Sequence, residues 1–172
     1  MFQGFNLKNV YIGRDISTEK YCHYIHCKVS YGNEYYTAYY YIAQPPFSGS
    51  NMTSLTIGPL VTTLNMNPIT IDDWNGSFQY CKNLENVTIH SAAISIPKNT
   101  FSGCNKLTSL EIPNSVKEIE TNAFVNCTSL KNLSLGSSLV SIGDNAFSSC
   151  TGIGEIILPN SISSVGNDAF NG

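Results

Sequence analysis

A phenylalanine recurs every 23 residues through the second half of this chain, at Phe78, Phe101, Phe124, Phe147 and Phe170. Cys81, Cys104, Cys127 and Cys150 keep the same step, each three places after a phenylalanine. So do Leu84, Leu107, Leu130 and Ile153, then Val87, Leu110, Leu133 and Ile156, then Ile89, Ile112, Leu135 and Leu158. Five columns held in phase restrict the fold severely. A unit of this size cannot bury its apolar side alone; stacking like units makes one continuous interior with each column in register.

Each unit reads Cys-x-x-Leu-x-x-Leu-x-Leu, as in Cys104-Asn105-Lys106-Leu107-Thr108-Ser109-Leu110-Glu111-Ile112. The closing Leu-x-Leu has period two, which predicts a short strand with one buried face. Pro113 and Pro159 then end the strand, because proline has no N–H to donate to a ladder. A second apolar pair follows (Val116/Ile119, Leu139/Ile142, Ile162/Val165), and then Ala-Phe, as Ala123-Phe124, Ala146-Phe147 and Ala169-Phe170. The pattern predicts a right-handed repeat solenoid, with a parallel β-sheet on one face and irregular or short helical turns on the other.

Fainter copies lie upstream. Phe47 through Ile57 reads like Phe101 through Ile112 with one residue deleted, with Val61 and Leu64 matching Val116 and Ile119. Leu7-Lys8-Asn9-Val10-Tyr11-Ile12-Gly13 echoes Leu130 through Gly136. Residues 65–77 keep the phase only in part: Ile71 matches Ile94, but Asp73 stands where Ile96, Ile119 and Ile142 stand elsewhere, and Ile69-x-Ile71 suggests an extra strand. The expected organisation is one solenoid over 1–172, with an inserted hairpin at 14–46, irregular repeats at 47–77 and regular repeats at 78–172. Solenoids need polar caps over the open core and sheet edge. Neither end of the sequence shows one, so a piece of a longer chain is expected.

Cys-x-x-Leu-x-x-Leu-x-Leu-Pro-x-Ser-Val-x-x-Ile-x-x-x-Ala-Phe, best seen from Cys104 to Phe124, resembles the BspA-like branch of leucine-rich repeats, as does the Ile142-Gly143-Asp144-Asn145-Ala146-Phe147 close. The resemblance is strong over 78–172, moderate over 47–64 and weak elsewhere. It implies a leucine-rich-repeat solenoid in a secreted or cell-surface protein of a host-associated microbe. Adhesion to host matrix or cell-surface proteins, or to glycans, is the implied role. A structural spacer, or an accessory region of a larger secreted enzyme, are the alternatives.

Residues 22–42 follow another rule. Tyr31-Gly32-Asn33-Glu34 fits a two-residue hairpin turn, since Gly and Asn tolerate positive φ. Pairing Tyr31 with Glu34 puts Ile25, Cys27, Val29, Tyr36, Ala38 and Tyr40 on one face. The other face then carries Tyr24, His26, Lys28, Ser30, Tyr35, Thr37, Tyr39 and Tyr41. Tyrosine offers large contact area at low ordering cost, which suits partner contacts. It is also a good strand former, and the same rings could lie over neighbouring coils. Tyr24, Tyr35, Tyr39, Tyr41, His26 and Lys28 are therefore one candidate binding set. The sheet's outward positions Thr88, Ser109, Glu111, Asn132 and Ser134 are a second, small and polar.

Little points to chemistry. Cys22-His23-Tyr24-Ile25-His26-Cys27 resembles a metal motif, but on one continuous strand the two cysteines would lie roughly 16 Å apart and on opposite faces. No metal or cofactor is expected. The regular cysteine column could in principle form disulfides between stacked coils, yet buried cysteine commonly packs as a small apolar group. His23, His26 and His90 lie near no serine or cysteine nucleophile in sequence, and Asp72-Asp73-Trp74 reads as a solvated turn. The chain is therefore expected to be non-catalytic. A formal charge of −3, with only 12% charged residues, offers no footprint for nucleic acid. No run nears the roughly 20 apolar residues of a membrane-spanning helix, so direct membrane insertion is not expected either.

Overall fold

A computed structural model describes residues 8–14, 18–19, 22–23, 27–31, 34–38, 47–60, 76, 78–90 and 93–172. It contains β1 (Asn9–Arg14), β2 (Thr18–Glu19), β3 (Cys22–His23), β4 (Cys27–Tyr31), β5 (Glu34–Ala38), β6 (Ser54–Leu60), β7 (Asn86–Ile89) and β8 (Ser95–Ile96). These are followed by β9 (Ser109–Glu111), β10 (Glu118–Ile119), β11 (Asn132–Ser134), β12 (Ser141–Ile142) and β13 (Ser164–Val165). No helix occurs among the described residues, so the turns of this solenoid are irregular rather than helical.

The Leu-x-Leu strands pair in parallel, in the register of the sequence columns: Leu55 beside Val87, Ser109 beside Asn86, and Leu110 beside Leu133. The 47–57 and 7–13 echoes are thus coils of the same ladder. Val10 pairs beside Leu55 and Ile12 beside Ile57. A second, narrower parallel sheet runs β13-β12-β10-β8, with Ile96, Ile119, Ile142 and Val165 in line. The second apolar pair of each unit produces it: the last residue of the pair turns into the core while its neighbour faces out.

Between the sheets, the phenylalanines form a ladder of six rings. Phe47 joins the five expected, and neighbouring centroids stand 5.6, 5.3, 5.3, 5.1 and 5.3 Å apart from Phe47 to Phe170. The spacing is wider than the about 4.8 Å between strands because rings stack offset. Phe47 and Phe78 lie 31 residues apart in sequence yet sit in successive coils, so the coil between them carries the extra chain. Val61, Leu64, Ile69, Ile71, Asp72, Asp73 and Trp74 lie outside the described residues.

Two turn columns reveal a backbone requirement. Asn99, Asn122, Asn145 and Asp168 have φ of 58°, 57°, 53° and 53°, two places before each phenylalanine. Tyr80, Gly103, Asn126 and Ser149, two places after, have 58°, 74°, 63° and 59°. In the coils of Phe101, Phe124 and Phe147 a left-handed residue turns the chain into the phenylalanine corner and another turns it out. Asn and Gly populate that region at least cost.

In the inserted stretch, β4 and β5 form an antiparallel pair with Tyr31 opposite Glu34. β4 pairs in turn with the outer edge of β1, so the sheet runs β11-β9-β7-β6-β1-β4-β5. The edge of the first repeat strand is therefore covered, where no cap was expected. A solvated polar strand edge is open to further pairing, and a hairpin laid along it satisfies those groups. Within the expected strand, Cys22 pairs through β3 with β2 and Cys27 begins β4, while residues 24–26 lie outside the described residues.

Candidate functional site

Each thiol of the cysteine column points back along the stack. Cys81 Sγ donates to the Phe47 carbonyl at 3.1 Å, Cys104 to Phe78 at 3.3 Å, Cys127 to Phe101 at 3.3 Å and Cys150 to Phe124 at 3.2 Å. All four are buried and unbridged. Ser50 takes the same column place in the first of these coils, with its hydroxyl 3.4 Å from Cys81 Sγ. The side-chain hydrogen bond with Cys81, and then burial, hold the Cys104 thiol well above its ordinary value of 9.0. The bond with Cys150, and then burial, do the same to Cys127. A thiol held neutral and enclosed is a poor nucleophile and a poor metal ligand. The column is structural.

The outward side of the seven-stranded sheet is different. Partners in a ladder share a face, so the register links Asn9, Ser54, Asn86, Ser109 and Asn132 in one row. Tyr11, Thr56 and Thr88 line up beside them, as do Glu111 and Ser134. Asn9, Tyr11, Asn86, Thr88, Ser109, Glu111, Asn132 and Ser134 are exposed. A trough of about 560 Å³ opens on this face, lined by Val87, Ser109, Leu110, Glu111, Lys131, Asn132, Leu133, Ser134 and Glu155. Four of the five sheet-face candidates line it; Thr88 lies on the same face outside the trough. Lys131 sets one cation among two carboxylates, Ser109, Asn132 and Ser134 add hydroxyls and an amide, and Val87, Leu110 and Leu133 are apolar. Such a surface offers donors and acceptors without a strong field.

The two candidate sets meet on this face. Lys28 stands opposite Tyr11, and Ser30 opposite Asn9. Tyr35 and Thr37 stand opposite Ser30 and Lys28 in turn. Lys28 and Tyr35 are thus at register positions on the same face as Ser109 and Asn132, not on a separate patch. Tyr24, His26, Tyr39 and Tyr41 lie outside the described residues. Sequence reasoning passed over Tyr11 and Lys131. Tyr11 was findable, since Val10 aligns with Leu133 and puts Tyr11 in the place of Ser134. Lys131 directly precedes β11 and lines the trough beside Asn132. Glu155 does not extend the ladder as expected: residues 155–158 form no strand beside β11.

Against families of known sequence, residues 74–172 match the BspA type leucine-rich repeat region, in 6 copies. The chain belongs to the BspA-type leucine-rich-repeat family. No curated protein matches it. Among solved structures, this BspA-type chain is similar to a leucine-rich repeat protein from Bacteroides ovatus, with 31% identity and a TM-score of 0.59 over 69% of this chain and 28% of that one. It is similar to the leucine-rich repeat protein of T. pallidum at 30% identity and a TM-score of 0.59, over 69% of this chain and 54% of that one. A leucine-rich repeat protein from Eubacterium ventriosum, at 22% identity and a TM-score of 0.58, covers 72% of this chain and 32% of its own and shares the fold. The BspA-type chain thus spans between 28% and 54% of the length of these relatives.

Among the described residues no group of three or more His, Cys, Asp or Glu side chains could hold a metal ion. Among them too, no helix is long and apolar enough to cross a membrane. What the face can do is hold a neutral or weakly charged ligand against a rigid, regularly spaced row of amides and hydroxyls.

Proposed function

We propose that this chain is a non-catalytic binding module, acting in adhesion at a microbial surface, and that it holds its partner along the outward face of the seven-stranded sheet. One observation carries the reading: successive coils place exposed polar side chains in register over a continuous face with a trough at Glu111, Asn132 and Ser134. A regular array of this kind suits extended contact, in which affinity is summed over many modest interactions. The family resemblance supports host matrix or cell-surface proteins, or glycans, as the partner. The hairpin positions Lys28 and Tyr35 extend the same face.

The test is binding of the whole chain to panels of immobilised matrix proteins and glycans, with and without Glu111→Lys and Asn132→Lys. These exposed positions tolerate lysine without loss of core packing. A partner held on this face is expected to bind roughly tenfold more weakly to the variants, the scale of one good contact. Unchanged binding by both variants, with the fold intact by circular dichroism, would refute this face as the site. A chain that binds nothing on either panel would refute the adhesive role.

A further inference from the structure

One corner of the solenoid departs from the rule that its neighbours keep. The residue two places after Phe47, Phe78, Phe101, Phe124 and Phe147 lies in the left-handed region each time: Gly49 at 68°, Tyr80 at 58°, Gly103 at 74°, Asn126 at 63° and Ser149 at 59°. Glycine and asparagine enter that region at least cost and serine is small, whereas a bulky aromatic there is an outlier. Tyr80 therefore carries backbone strain that the other residues of its column avoid. Strain of this kind gathers at binding sites, where a side chain serves contact at the expense of stability.

The ring leans across the glycine of the following coil. Its Cδ1 and Cε1 lie 2.6 and 3.1 Å from the place a β-carbon on Gly103 would take, so a larger residue there would push the ring away. Tyr80 is nonetheless 47% exposed. In the preceding coil Gly49, also exposed, offers no side chain to cover it.

Gln79 is a second departure at the same corner. It is 5% exposed, and its Nε2 stands 3.5 Å from the hydroxyl of Ser102, the residue before Gly103. Its Oε1 is buried with no hydrogen-bond partner among the described residues. A buried orphan acceptor is costly and needs a cause. Because Oε1 is bonded to nothing inside, turning the carboxamide towards a ligand hydroxyl forfeits only the long bond to Ser102. Residues 47–53, 78–83 and 101–106, this corner and those of the adjacent coils, include Lys82 and Lys106 and no carboxylate. A cationic partner finds no counter-charge among them.

We infer that Tyr80 and Gln79 form a saccharide-binding subsite, in which the tyrosine ring carries the apolar face of a neutral pyranose and Gln79 Oε1 accepts from one of its hydroxyls. A pyranose joins an apolar C–H face to a rim of hydroxyls, and so matches an exposed ring beside an unfilled acceptor. Neither residue lines the trough of the sheet face, and the subsite does not depend on that surface being used.

The test is titration of the whole chain with cellohexaose, maltohexaose, chitohexaose and mannohexaose, and with a proline decamer for comparison. NMR follows the Tyr80 ring protons and the Gly103 amide. At least one saccharide is expected to shift both saturably, with a dissociation constant of about 1 mM, the scale of a small contact. Tyr80→Asn, the residue type at 126 in the same column, should weaken binding at least about tenfold and leave the urea midpoint unchanged or higher. Gln79→Leu should also weaken binding without lowering the midpoint. Glu111→Lys, in the trough, should leave the saccharide titration unchanged, so the two surfaces are tested apart. Silence from all four saccharides, shifts with the proline peptide alone, or unweakened binding by Tyr80→Asn would each overturn the inference. So would a clear fall of the midpoint in Tyr80→Asn, which would make the ring a filler over Gly103.

Discussion

Asn122 shows how much of this fold rests on single residues that never touch the core. Its φ of 57° is one a β-carbon tolerates poorly, and the same corner recurs at Asn99, Asn145 and Asp168. Asn122→Ala is expected to lower stability by about 1 kcal/mol and Asn122→Gly to change it by less, because only the alanine must enter the left-handed region without a compensating local hydrogen bond. Urea denaturation of the two variants measures the difference. At Cys127 the side chain matters for its donor as well as its bulk. Cys127→Ala removes both and is expected to cost about 2 kcal/mol, whereas Cys127→Ser keeps a donor, as Ser50 does in the same column, and should cost less.

The thiol column also fixes a pH dependence. Cys104 and Cys127 titrate higher in the folded chain than in the unfolded one, so they favour the fold fully below the ordinary thiol value of 9.0. That contribution is lost as pH rises from there towards the raised folded values. Cys81 and Cys150 are shifted the other way, each first through the hydrogen bond with its neighbouring thiol, and oppose part of the loss. Burial raises all four thiols, whereas the bonds between neighbouring thiols lower one partner and raise the other, so the urea midpoint should fall as pH rises above about 9. A midpoint that is flat or rising over that interval would contradict the assignment.

At the level of elements, the phenylalanine ladder and the hairpin do different jobs. Phe124 stacks on Phe101 at 5.3 Å and on Phe147 at 5.1 Å, so truncating it opens a cavity between two rings. Phe124→Ala is expected to cost about 3–5 kcal/mol, and Phe170→Ala, partly exposed and stacked on Phe147, less. Thermal unfolding monitored by circular dichroism distinguishes the two. The hairpin instead protects an edge. A chain lacking β4 and β5 leaves the outer edge of β1 unpaired and is expected to aggregate with concentration, as followed by light scattering.

Over the whole molecule, each coil touches only its neighbours, so stability is a sum of coil and interface contributions rather than the property of one centre. The repeat, the inward columns and the hairpin register were all legible in the sequence, because each follows from local spacing: Phe101 to Phe124 counts one coil, and Tyr31 to Glu34 counts one turn. The left-handed corners were legible too, in the spacing of Asn99, Asn122 and Asn145, but composition hides them among many asparagines. The trough was not, since a concavity depends on how the coils pack, and spacing carries no measure of it.

Sequence alone therefore determined that this chain stacks, and which side chains it buries, because a period in the chain becomes a period in space once one coil lies on the next. Only the tertiary structure decided where the hairpin went. Its register is set within the segment itself, but its docking on β1 depends on which strand edge the coils leave unpaired, a fact that exists only once they have stacked.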